Sequence, residues 1–153
     1  MSYDQLGMAL KERDAAPHPE ELRDFIEQEH PADLAHFIGT WPPQDAWRVM
    51  DLLPLDRQAS TFGYLPPDFQ VDMADAVTRD RLARLVTEMN ADERADLYHE
   101  LSDEQRKALL PALSQAEREG IRRLASHPHD TAVAIMTSDY AVLTANLSAS
   151  DAL

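Results

Sequence analysis

Apolar residues recur along this chain on a twelve-residue period: Trp41, Leu53, Leu65, Val77, Met89, Leu101, Leu113 and Ala125 stand at equal spacing. Each is followed by a residue suited to opening a helix, namely Pro42, Pro54, Pro66, Thr78, Asn90, Ser102, Ser114 and Ser126. Proline is tolerated in a first helical turn because its missing N–H would be unpaired there, and Thr, Asn or Ser side chains cap the exposed N–H groups. Every twelfth residue is thus predicted to close one short helix and open another.

Within a period the apolar residues fall four before, three before and at the repeating position. The sets are Val49/Met50/Leu53, Met73/Ala74/Val77, Leu85/Val86/Met89, Leu97/Tyr98/Leu101 and Leu109/Leu110/Leu113. That spacing lays one apolar stripe along each helix. Upstream the phase shifts but the pattern persists, with Leu22/Phe25/Ile26 after His18-Pro19 and Leu34/Phe37/Ile38 after His30-Pro31. The pattern predicts an N-terminal helix at about 2–13 and then nine helices of eight to eleven residues. Short helices joined by tight turns run antiparallel, so two periods make a hairpin and the hairpins stack into a curved rod. The fold class is all-α, with no strand needed before residue 140.

After Ser126 the period stops. His127-Pro128-His129-Asp130 is a break, Asp130 is placed to cap a short helix over Thr131 to Met136, and Tyr140 to Thr144 is β-like. Ser148 to Leu153 reads as the cap and first turn of one more helix. A lone strand and half a helix cannot build a core. The expected organisation is a helical-repeat domain over 1–126, then a linker and the truncated start of a second domain over 127–153.

The charge balance narrows the partners. Twenty-eight acidic residues against 14 basic ones give a net charge of −14, which repels nucleic acid and anionic membrane and favours cations or basic surfaces. There is no cysteine, so disulfides, thiolate metal sites and a Cys nucleophile are excluded. No apolar run reaches spanning length and the start lacks a signal pattern, so a cytoplasmic segment without direct membrane insertion is expected. No nucleophile motif, glycine-rich phosphate loop or zinc spacing is present, and no catalysis is expected.

Asp56, Asp68, Asp80, Asp92 and Glu104 each sit two residues after a cap, where the helix dipole favours negative charge. Beyond that background, Asp92, Asp96 and Glu100 stand at i, i+4 and i+8, and like charges so placed cost a few tenths of a kcal/mol each. Such a row suits a hard divalent cation, because Mg²⁺ takes oxygen ligands, keeps several waters and needs only one or two carboxylates. On helix geometry alone it fits the solvated outer face of an acidic protein better. His127 and His129 form an H-x-H in a break with no third ligand nearby, which fits ordinary linker residues better than a transition-metal site. His36 and His99 are expected at a core edge or surface, and Trp41 and Trp47 as packing residues between helices.

Three segments carry a resemblance: His30-Pro31-Ala32-Asp33-Leu34-Ala35, Asn90-Ala91-Asp92-Glu93-Arg94-Ala95-Asp96-Leu97 and Pro128-His129-Asp130-Thr131-Ala132-Val133-Ala134-Ile135-Met136-Thr137. In order and spacing they resemble the cytoplasmic N-terminal domain of MgtE-type magnesium transporters and its junction into the first CBS domain, from about residue 18 onward. The resemblance implies a right-handed superhelix of short helices, followed by paired CBS domains, a connecting helix and a transmembrane channel at the inner membrane. It implies Mg²⁺ sensing, with ions between acidic surfaces of the N domain and the CBS domains holding the assembly compact and the pore shut. The implied partners are the CBS and transmembrane domains of the same or a longer chain, with a homodimer possible in that architecture. Asp92 and Asp96 match acidic positions of the family motif, whereas Ser60 stands where an acid is common and Ala132-Val133-Ala134 where a smaller, glycine-bearing run is usual. With the opposing half of the site missing, this piece is expected to bind Mg²⁺ weakly or not detectably alone. The same architecture also fits a free-standing helical-repeat scaffold for protein interaction.

Overall fold

Seven of the eight repeating starts hold their predicted place as the residue that precedes a helix: Pro42, Pro54, Pro66, Thr78, Asn90, Ser102 and Ser114. The eighth does not, because Ser126 is the C-terminal cap of the last described helix, its N–H bonded to the Arg122 carbonyl. The structure, a computed structural model, describes residues 2–11 and 19–126. The expectations for 127–153, including the His127/His129 pair, the helix over Thr131 to Met136 and the β-like run, lie outside the described residues.

The described residues form α1 (Tyr3–Lys11), α2 (Pro19–Gln28), α3 (Pro31–Ile38), α4 (Pro43–Met50), α5 (Leu55–Gly63) and α6 (Pro67–Asp75). These are followed by α7 (Arg79–Glu88), α8 (Ala91–Glu100), α9 (Asp103–Leu109), a 3₁₀ turn (Leu110–Ala112) and α10 (Gln115–Ala125). No strand occurs among them. At seven residues, α9 is shorter than the sequence pattern predicts. Pro111 explains this, since its ring and missing N–H cannot continue an α-helix and the chain tightens into the 3₁₀ turn instead.

Helices pack mainly on the helix two places along the chain. One row runs α3, α5, α7, α9 and the other α4, α6, α8, α10, so each pair of helices is a layer stacked on the pair before it. The core lies between the rows. The position four before seven of the eight repeating residues lies deep in it: Val49, Thr61, Met73, Leu85, Leu97, Leu109 and Ile121 are all 2% exposed or less, while Phe37, four before Trp41, is partly buried. Helix geometry accounts for this, because i and i+4 lie one above the other on the face turned inward. Thr61 is the one polar residue in that column, and its Oγ1 is buried without a hydrogen-bond partner.

The layers are tied by side chains that reach back thirty residues. Arg57 donates to the Glu27 carbonyl at 3.1 Å, Arg81 pairs with Asp51, and Gln105 donates to Asp75 at 2.5 Å. The donors sit on successive odd helices and the acceptors at the ends of successive even ones. A second set satisfies carbonyls that a helix end leaves unpaired. Gln58 donates to the Leu53 carbonyl, Gln70 to Phe62, Arg94 to Met89, and Arg106 to both Tyr98 and His99, all between 2.6 and 2.9 Å. These four lie on the twelve-residue period themselves, four residues after the cap.

The two tryptophans are packing residues, as the sequence predicts. Trp47 is buried, donates from Nε1 to the Met73 carbonyl at 2.8 Å and carries the Arg81 guanidinium over its ring at 4.5 Å. Trp41 packs on Phe37, with ring centroids 4.8 Å apart. Tyr3 joins that cluster against Phe37 at 4.6 Å and donates to Glu29 at 2.6 Å, which fastens α1 to the first layer. Burial and that bond to Glu29 push the Tyr3 hydroxyl well above its ordinary range.

Candidate functional site

The acidic row sits on α8, which is held by apolar residues on its other side. Ala95 and Leu97 are buried at 3% and 1% exposure, and Leu101 closes the helix into the core. With that face fixed, Asp92 is left half-buried while Asp96 and Glu100 are exposed. All three predicted residues therefore share α8, four residues apart. Among the described residues, no three His, Asp or Glu side chains converge as a closed metal cage.

Glu93 is the member of this helix that the sequence reading passed over. As the third residue of α8 it reaches back to the Asn90 N–H at 3.4 Å, one half of a capping box. Its carboxylate lies against α5: a Cβ built on Gly63 would come within 2.9 Å of Glu93 Oε1. Burial holds the Glu93 carboxyl above the usual range; the Asn90 N–H opposes this, and the charges of Asp92 and Asp96 add to it.

Glu93 also lines a cleft of about 270 Å³ together with His30, Ser60, Tyr64, Glu88 and Asn90. His30 is placed there by its own capping role, its Nδ1 accepting from the Ala32 N–H at 3.2 Å. Its ring stands 5.9 Å from that of Tyr64. The cleft gathers the starts of α3 and α8 and the end of α5, positions about thirty residues apart that stacking alone brings together. One sequence signal could have singled out Glu93, namely the Asn-x-x-Glu spacing of a capping box. None marked His30, Ser60 or Tyr64 as neighbours. His36 is exposed and His99 half-buried, matching the surface or core-edge placement predicted for them.

Fold and site together define a helical-repeat domain of stacked short hairpins that carries an anionic row on one helix. The family described as the MgtE intracellular N domain matches residues 29–130, two thirds of the chain, and the chain belongs to that family. Two solved structures are similar to it. The soluble part of a magnesium transporter superposes with a TM-score of 0.77 at 24% identity, covering 90% of this chain and 53% of that one, which establishes the shared fold. The cytosolic domain of the Mg²⁺ channel MgtE in complex with ATP superposes with a TM-score of 0.77 at 25% identity, covering 91% of this chain and 56% of that one. The chain spans little more than half the length of either structure. No curated protein sequence matches it. Among the described residues, no helix is long and apolar enough to cross a membrane.

Proposed function

We propose that this domain is the cytoplasmic Mg²⁺-sensing regulatory unit of a magnesium transporter and that it acts by docking rather than catalysis. Membership of the MgtE intracellular N domain family carries the reading. Asp92 and Asp96, with Glu100 as an outer member, would hold the ion. Their carboxylate oxygens suit a hydrated Mg²⁺, which needs only one or two such ligands from each surface it touches. Glu93 stands beside them; burial is the main cause of its raised carboxyl, and the charges of Asp92 and Asp96 add to it. A bound Mg²⁺ supplies two positive charges where two acidic surfaces would otherwise repel. The facing surface is proposed to be a CBS domain of the same or a longer chain.

Gating then follows from linkage. A cation that binds only the docked state stabilises it by mass action, and a fall in Mg²⁺ releases the α8 carboxylates to repel their neighbour. Domain closure of this kind is the regulatory step proposed for the transporter, with the pore shut when the domains are docked.

The test uses the longer transporter. Replacing Asp92 and Asp96 by Asn is expected to weaken the protection from protease that millimolar Mg²⁺ confers on the region following this domain. Unchanged protection would remove the two residues from the sensor. In the 153-residue chain alone, MgCl₂ and NaCl at matched ionic strength are expected to raise thermal stability equally, through screening of the −14 charge.

A further inference from the structure

Tyr64 is an exposed aromatic that the fold does not require. It is 59% exposed at the end of α5, and the equivalent places in neighbouring periods hold Leu52, Ala76 and Glu88, so no packing rule demands a ring there. It forms the shared wall of two clefts. On one side lies the cleft of about 270 Å³ that contains His30, Glu88 and Glu93. On the other lies a cleft of about 340 Å³ floored by Ala32, Ala35 and Gly39, with His36, Thr40 and Pro66 at its rim.

We propose that the two clefts flanking Tyr64 together dock a basic amphipathic helix of a partner protein, with an apolar side chain seated in one and an arginine in the other. The chemistry of the two floors differs in the sense such a helix needs. Two alanines and a glycine give the larger cleft an apolar floor that a leucine-sized side chain can reach. The smaller cleft offers two carboxylates and the Tyr64 ring, and neither cleft has a lysine or arginine among its lining residues. A guanidinium meets both demands at once, because it pairs bidentately with carboxylate and stacks on an aromatic face. Because Tyr64 lines both clefts, side chains one turn apart on a helix face are the arrangement that would straddle its ring. The −14 charge of the chain steers a basic partner and turns away phosphate-bearing ones. The docking needs no Mg²⁺, although Glu93 and Asn90 place this cleft beside the α8 row assigned to the ion.

The probe is a synthetic helical peptide carrying Leu and Arg one turn apart on an alanine and glutamine background. It is titrated into the protein at physiological ionic strength with EDTA present and followed by backbone amide NMR. Saturable shifts are expected at Gly39, Tyr64 and Glu88. Tyr64→Ala, and separately Glu88→Gln with Glu93→Gln, are each expected to weaken binding about tenfold, whereas Asp24→Asn with Glu27→Gln on α2 changes it less than about twofold. Replacing the peptide's Arg by Glu is expected to abolish binding. Equal losses from the α2 and cleft substitutions would overturn the proposal in favour of general charge attraction. So would shifts that spread along α2, or no saturable binding at all.

Discussion

Glu93 and Glu117 occupy the same place in the repeat, two periods apart, and titrate in opposite directions. Each is the third residue of its helix and each closes a capping box, Glu93 on Asn90 and Glu117 on Ser114. The Ser114 N–H lies 2.7 Å from Glu117, whereas the Asn90 N–H lies 3.4 Å from Glu93. Burial raises both carboxyls, but around Glu117 the Ser114 N–H and hydroxyl, the Thr87 hydroxyl and the Arg94 guanidinium outweigh it and pull the group below its usual range. Around Glu93 burial prevails, with Asp92 and Asp96 adding to it. One local rule therefore yields a carboxyl pulled down on α10 and one pushed up on α8. The difference lies in what the neighbouring layer presents, a cation and a hydroxyl in one case and the backbone of Gly63 in the other.

The largest expected effect tests whether the two helices are otherwise equivalent. Leu97→Ala in α8 and Ile121→Ala in α10 empty the same deep position, both at 2% exposure or less, and each is expected to cost about 3 kcal/mol in urea unfolding. A cost below about 1 kcal/mol at either site would mean that its helix is not held by the shared core.

Next in size are the caps and one buried hydroxyl. Ser114→Ala, which removes the hydroxyl that accepts from the Glu117 N–H at 3.3 Å, is expected to cost about 1 kcal/mol, and Asn90→Ala, whose side chain is the weaker acceptor, only a few tenths. Equal costs would dissolve the contrast between the two boxes. Thr61→Val, which removes the unpaired hydroxyl from the same helix that abuts Glu93, is expected to add about 1 kcal/mol without altering the pH dependence of stability. A changed pH profile in that variant would show that repacking α5 alters the burial that sets the behaviour of Glu93.

The smallest effects are in that pH profile, and their signs differ. Glu117 titrates lower in the folded state, so its stability is fully present above the ordinary glutamate range and is lost as pH falls through the lowered value. Glu93 titrates higher when folded, so the folded state keeps the proton longer and stability falls as pH rises from the ordinary value to the raised one. Glu117→Gln is therefore expected to reduce stability at neutral pH by a few tenths of a kcal/mol, and Glu93→Gln to increase it by a similar amount. Thermal melts across pH 4 to 7, a range of about three units around ordinary carboxyl values, would read both slopes.

Much of the scaffold was legible because its signals are local. Caps at Thr78, Ser102 and Ser114 and the apolar stripes need only a few consecutive residues, so most helix starts followed from spacing alone, Ser126 excepted. The donors Gln58, Gln70, Arg94 and Arg106 were legible in principle, since they keep the same twelve-residue period, but polar residues at that place resemble an ordinary solvated face until the carbonyls they reach are seen. The acidic row of Asp92, Asp96 and Glu100 could be read from a single helix. The cleft beside it could not, because His30, Ser60 and Glu93 meet only through the stacking of α3, α5 and α8. The 3₁₀ turn at Leu110–Ala112 was signalled by Pro111 alone.

Because each tie spans only one hairpin, from Arg57, Arg81 and Gln105 back to the layer beneath, the rod has seams rather than a single keystone. Damage at one rung leaves its neighbours intact, and cooperativity passes along the axis in nearest-neighbour steps. Each of the three rungs has at least one ionised partner, a guanidinium in two and the Asp75 carboxylate in the third, so no single seam carries the whole rod.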